Sequence, residues 1–96
     1  MAKTEAFDAS RYLTAPDAQA ELLSDALASG SAAYVAQALG VIARARGMTE
    51  VAREAGVTRE ALYKSLSEDG DPRLTTLLGV MRALGITLTA RIKPAA

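Results

Sequence analysis

The 96-residue chain contains no cysteine, no histidine and no tryptophan, and its only aromatic residues are Phe7, Tyr12, Tyr34 and Tyr63. Without cysteine there is no disulfide scaffold, no thiolate zinc site and no sulfur nucleophile. Without histidine the chain lacks the commonest metal ligand and the commonest general base. Its carboxylates fall on helix surfaces (Glu50, Glu54, Glu60) or in a turn (Glu68, Asp69, Asp71), where no paired-acid geometry can be argued. Asp69-Gly70-Asp71 is too short for a calcium loop, which needs more oxygen ligands at longer spacing. The expectation is a non-enzymatic protein without metal or cofactor. No apolar run approaches the ~20 residues of a membrane span, and the opening residues carry acids where a signal peptide carries an apolar core. A soluble cytoplasmic protein with no membrane partner is therefore expected.

What is present is alanine, at 21 positions. Alanine favours helices that pack closely through small side chains, and the scarcity of aromatics argues against a β-sandwich. The length suits one domain. We read residues 1–14 as an N-terminal arm, anchored by Phe7, Tyr12 and Leu13, and residues 15–96 as a single helical domain. Charge is split along the chain. Residues 1–40 are net acidic, with Lys3 and Arg11 against Glu5, Asp8, Asp17, Glu21 and Asp25, and residues 41–96 are net basic. Such a split suggests two faces with different partners.

Punctuation and periodicity place the elements. Pro16 fits a first helical turn with Asp17 at the positive dipole end; Leu22, Leu23, Ala26 and Leu27 give an apolar stripe, and Gly30 stops the helix. Ser31 caps a second helix through Tyr34-Val35, Ala38-Leu39 and Ile42, with Arg44 and Arg46 in its last turn and Gly47 closing it. Two short helical patterns follow: Thr49 to Ala55 with Thr49 as cap, and Arg59 to Ser65 or Leu66 with Thr58 as cap. Glu68-Asp69-Gly70-Asp71-Pro72 is a turn, and Asp71 as cap with Pro72 at the first position opens a helix through Leu84. Its apolar face is expected at Leu74, Leu77, Leu78, Met81 and Leu84. After Gly85 the period changes: Ile86, Leu88, Ala90 and Ile92 alternate with polar residues, which predicts one β-strand over 86–93.

The two short patterns read together as a helix-turn-helix. Helices crossing at ~90–120° need a small residue at the contact, supplied by Ala52. The turn needs a residue tolerant of positive φ, supplied by Gly56. Val57 plugs the corner and Leu62 holds the second helix on the core. A generic pair of short helices joined by glycine is the plainer alternative.

From about Ile42 to Ile86 the chain resembles a Cro/CI-type (XRE-like) helix-turn-helix domain. Over nearly its whole length it resembles the probable addiction-module antidote proteins, a HigA-like antitoxin family. The narrower match is carried by Phe7-Asp8 with Tyr12-Leu13, by Ile42-Ala43-Arg44-Ala45-Arg46-Gly47-Met48, by Leu62-Tyr63-Lys64-Ser65-Leu66-Ser67 and by Glu68-Asp69-Gly70-Asp71-Pro72. The resemblance implies an all-α, five-helix lambda-repressor-like DNA-binding domain, here with a single C-terminal β-strand. It also implies a cognate small toxin of the RelE/ParE superfamily and repression of the protein's own operon. The segment between Gly47 and Ala52 is shorter than in the broader helix-turn-helix family and lacks the Gln that commonly opens the first helix and touches a phosphate.

On this reading the second helix exposes Thr58, Arg59, Glu60, Tyr63 and Lys64, with its N-terminal residues in the major groove of double-stranded DNA. Arg59 suits a bidentate contact to guanine, and Glu60 suits a cytosine amine or, equally, a solvated first turn. Lys64, Arg53 and the Tyr63 hydroxyl suit phosphates. Arg44 and Arg46 suit either a helix end or a phosphate. A pseudo-palindromic operator calls for a homodimer, and Leu88, Ala90 and Ile92 on the strand, with the Leu74–Leu84 helix, are the candidate interface. Asp17, Glu21 and Asp25 are the candidate cover for a basic toxin surface. A stand-alone prophage Cro/CI-like regulator would carry the same helix-turn-helix without a toxin partner.

Overall fold

The computed structural model describes residues 15–94, so the expected anchoring arm at residues 1–14 lies outside the described residues. Five helices follow one another: α1 (Pro16–Ser29), α2 (Ala32–Arg46), α3 (Met48–Ala55), α4 (Arg59–Ser65) and α5 (Leu74–Leu84). Local chemistry sets most of their ends. Pro16 stands at the start of α1, where its missing N–H costs nothing, and Asp17 sits in the same turn. The Ser31 side chain accepts a hydrogen bond from the Tyr34 N–H at the start of α2. Thr58 accepts from the Ala61 N–H at 3.0 Å and opens α4. These are the side-chain caps that satisfy otherwise orphaned helical donors.

One core joins the helices. Leu23 of α1, Leu39, Ile42 and Ala43 of α2, Met48, Val51 and Ala52 of α3, Leu62 of α4, the following Leu66, and Val80, Met81 and Leu84 of α5 are buried together. α3 packs mainly on α5 and α1 mainly on α2. Close approach needs small residues beyond Ala52. A Cβ on Gly40 would stand 2.6 Å from the Leu66 carbonyl oxygen, so α2 meets the end of α4 only because that position is glycine. A Cβ on Gly79 would meet the Ala55 backbone at 3.2 Å, which is how tightly α5 seats on α3. No described helix is long and apolar enough to cross a membrane.

Four expectations are corrected. The predicted strand over 86–93 does not form: residues 86–94 have no regular structure, and no strand exists among the described residues. Alternation gives a strand two faces, but it still needs a neighbouring edge for its N–H and C=O groups. The Ile86 N–H instead bonds back to the Met81 carbonyl, closing the turn after α5. Thr49 does not cap α3; the helix starts one residue earlier, at buried Met48, with Gly47 at φ 121° ending α2 and opening α3. Asp71 and Pro72 do not open α5, whose cap position is Arg73 and whose first residue is Leu74. Its buried face is Val80, Met81 and Leu84, whereas Leu74 and Leu78 are 66% and 47% exposed.

Candidate functional site

The α3–α4 unit presents the polar surface that the sequence singles out. Gly56 ends α3 in the left-handed region at φ 78°, a conformation that carries little strain only for glycine. The Val57 N–H returns to the Ala52 carbonyl at 3.0 Å, and Val57 itself is half-buried against the core. Ala52 and Leu62 are both buried. The turn is thus held by backbone bonds on one side and by packing on the other, which sets the direction in which α4 points its outer face.

That outer face holds Thr58, Arg59, Glu60, Tyr63 and Lys64, all exposed. Thr58 is engaged as a cap. Glu60 sits in the first turn of α4, where a negative charge complements the helix dipole. Arg59 lies over the Tyr63 ring, 5.1 Å from its centroid, and its Nη2 donates to the Tyr63 hydroxyl at 3.4 Å. The two residues stand one helical turn apart, so the pairing follows from spacing alone. Arg53, on α3, forms an ion pair with Glu50 of the same helix. The hydrogen bond from Arg53, reinforced by its charge, holds the Glu50 carboxyl below its usual range, and the carboxylate in turn raises Arg53.

The last turn of α2 adds two residues that the sequence left undecided, and the structure separates them. Arg46 donates from Nη1 to the Ala83 carbonyl at 3.3 Å and from Nη2 to the Leu84 carbonyl at 3.2 Å. It closes the C-terminal end of α5, a helix other than its own. Arg44 turns the other way and lies 5.9 Å from the centroid of the Tyr63 ring. Together with Gly47, Met48, Thr49, Glu50, Arg59 and Tyr63 it lines an open cleft of about 490 Å³. Sequence reasoning did not bring Arg44 to Tyr63. The available signal was Gly40: Arg44 lies one turn after it on the same face of α2, and Gly40 is where that helix touches the end of α4.

On the opposite kind of surface, Asp17, Glu21 and Asp25 are all exposed along α1 at helical spacing. Asp25 accepts a hydrogen bond from the Tyr34 hydroxyl of α2. That bond, followed by desolvation and the carboxylate's charge, pushes the Tyr34 phenol above its ordinary value. Leu88 is 39% and Ile92 95% exposed, and Ala90 is exposed between them. No group of residues able to hold a metal ion occurs among the described residues.

A curated relative, an uncharacterized protein of Haemophilus influenzae (strain Rd), is 41% identical over 80 residues, covering 83% of this chain and 82% of its own length. No solved structure matches the chain. A sequence model described as probable addiction module antidote protein matches residues 3–92, across the cap residues, the α3–α4 unit and the paired Arg44 and Tyr63 alike. With nearly the whole chain inside that match, the protein belongs to the family of probable addiction-module antidote proteins.

Proposed function

We propose that this protein is the antitoxin of a two-component toxin–antitoxin module, binding a small RelE/ParE-superfamily toxin and repressing its own operon as a DNA-bound homodimer. Membership of an antidote family already implies a toxin partner and a regulatory role without catalysis. The observation that carries the DNA half is the α4 face. A short helix capped by Thr58 presents Arg59, Tyr63 and Lys64 outward on a turn held by Gly56 and Val57. In this reading α3 and α4 are the helix-turn-helix of a lambda-repressor-like, XRE-type domain spanning residues 15–96, and the family resembles HigA.

α4 lies in the major groove, where Thr58, Arg59 and Glu60 face base edges and Lys64, Arg53 and the Tyr63 hydroxyl face phosphates. A helix of this size reads few base pairs, so two copies bind half-sites about one DNA turn apart, ~34–36 Å. The second copy covers the exposed apolar residues Leu88, Ala90 and Ile92, together with Leu74 and Leu78 of α5. The toxin contacts Asp17, Glu21 and Asp25 on α1, whose charges match a basic surface.

The test is co-expression with the product of the adjacent small gene, purified through a tag on that product alone, alongside binding of the promoter duplex. A stoichiometric complex that restores growth supports the antitoxin role. Promoter binding without co-purification overturns it in favour of a stand-alone repressor. For the DNA half, Arg59→Ala should cost ~1–3 kcal/mol of affinity and relax specificity. No change in Arg59→Ala combined with Lys64→Ala would leave a protein-binding module that does not read DNA.

A further inference from the structure

We infer that Arg44, from the helix before the α3–α4 unit, is the anchor for one DNA phosphate, and that the Tyr63 ring is the post that holds Arg44 and Arg59 ready in a single cleft. The inference rests on the DNA-binding reading above and adds to it a residue and a division of labour.

Two guanidinium groups lie over one aromatic ring, Arg59 at 5.1 Å and Arg44 at 5.9 Å from its centroid. An arginine within about 6 Å of a ring face is attracted by the ring's electron density, but two cations brought to one ring repel each other. Neither arginine takes part in an ion pair among the described residues. The nearest acid in the cleft lining, Glu50, is occupied by Arg53. The cleft therefore carries two oriented arginines outside any ion pair, against one carboxylate already held by Arg53, and opens to solvent. An anion bound in the cleft that both arginines line completes the arrangement. A phosphodiester fits because guanidinium groups bind its oxygens in a planar, bidentate manner.

The route by which Arg44 arrives is structural. Gly40 lets α2 approach the end of α4, and Arg44 Nη1 passes 3.6 Å from the point a Cβ on Gly40 would occupy. One turn further along α2, the side chain meets Tyr63 from the opposite helix. Arg44 thus reaches the cleft at the start of α3 from the preceding helix. Arg59 and Arg44 then share one support but take different tasks. Arg59 stands at the first position of α4, closest to base edges, while Arg44 stands back beside Gly47 and Thr49.

The experiment measures affinity against salt for a synthetic mixed-sequence duplex and for the promoter duplex, with folding checked by circular dichroism. Each phosphate contact contributes about −0.9 to the slope of log affinity against log salt on B-form DNA. Arg44→Ala is expected to reduce that slope by about one on both duplexes, and to weaken low-salt binding roughly tenfold without altering sequence preference. Arg73→Ala removes the same charge from an exposed position before α5 and should leave the slope unchanged. Tyr63→Phe keeps the ring and forfeits only the hydroxyl's phosphate contact, so Tyr63→Leu, which removes both, should bind roughly a further two- to fivefold more weakly than Tyr63→Phe. If wild type binds and Arg44→Ala matches Arg73→Ala, the phosphate anchor is wrong while the DNA-binding reading stands. If Tyr63→Phe falls as far as Tyr63→Leu, the hydroxyl is the working group and the ring is not the post. Wild-type protein that binds neither duplex even at low salt would overturn both the reading and this inference.

Discussion

The α3–α4 unit and the segment after Gly85 both carry regular apolar patterns, yet they are stabilised to very different degrees. In α3–α4 the backbone groups are satisfied within a few residues: Thr58 caps α4, the Val57 N–H returns to Ala52, and Leu62 is fully buried. In residues 86–94, only Ile86 is both bonded back to the preceding helix and packed on the core, and the apolar side chains beyond it are exposed. A helix closes its hydrogen bonds along its own chain, whereas an extended segment requires a second one. The first region is therefore self-contained, and the second leaves its apolar side chains beyond Ile86 exposed.

The largest expected effect separates the two regions directly. Leu62→Ala should destabilise the protein by ~2–5 kcal/mol, because it opens a cavity in the shared core. Ile92→Ala in the same dilute protein should change stability by no more than about 0.5 kcal/mol. Urea unfolding of both variants makes the comparison. Equal losses would mean that residues 86–94 are as much a part of the fold as α4. Repeating the Ile92→Ala measurement at increasing protein concentration sharpens it, since a loss that grows with concentration would place that residue in the proposed contact between two copies.

Next in size is Gly40→Ala. The added methyl meets the Leu66 carbonyl at 2.6 Å, so α2 and the end of α4 must separate, at a cost of ~1–3 kcal/mol. Unfolding measures the cost, and weakened DNA binding in the surviving folded protein would report the displacement of Arg44 from Tyr63. Smaller again is Gly56→Ala, where a left-handed conformation is imposed on a residue with a Cβ, at about 1–2 kcal/mol. A neutral result there would mean that the α3–α4 turn adapts and does not hold α4 rigidly.

The smallest effects are in the charged surface and appear as pH dependence. Arg53 depresses the Glu50 carboxyl. The pair's contribution is therefore complete above the usual carboxylate range and is lost as pH falls through the lowered folded-state value. Tyr34 is shifted the other way, upward, by Asp25. Its contribution is complete below the ordinary phenol value and is lost as pH rises through the raised one. NMR titration of Glu50 in wild type and Arg53→Ala should show the carboxyl moving back up when the partner is removed. Absorbance titration of Tyr34 should show the phenol moving back down in Asp25→Asn.

How far the fold was legible depends on the range of each signal. Pro16, Ser31, Thr58 and the glycines at 30, 56 and 85 act on neighbours a few residues away, so the helix ends they mark follow from local hydrogen bonding. Thr49 and Asp71 carry the same chemistry and cap nothing, because Met48 is drawn into the core and α5 starts only at Leu74. The strand prediction failed for a related reason. Alternation at Ile86, Leu88, Ala90 and Ile92 specifies two faces but supplies no partner edge. In the candidate site, Arg59, Tyr63 and Lys64 were visible as the exposed side of one amphipathic helix. Arg44 was not, since its place depends on a contact between α2 and α4 that no local pattern encodes.

By itself the sequence determined the number and order of the helices, the Gly56–Thr58 turn, the exclusion of thiol and imidazole chemistry and the family. All of these depend on residue type or on spacing within a single turn or helix. Only the tertiary structure decided that Arg46 closes α5, that Arg44 shares the Tyr63 ring with Arg59, and that Leu74 and Leu78 remain outside the core. Each of those outcomes depends on which helix lies beside which, and that is settled by small-residue contacts such as Gly40 on Leu66 and Gly79 on Ala55. Close packing turns a missing side chain into the position of a distant charge.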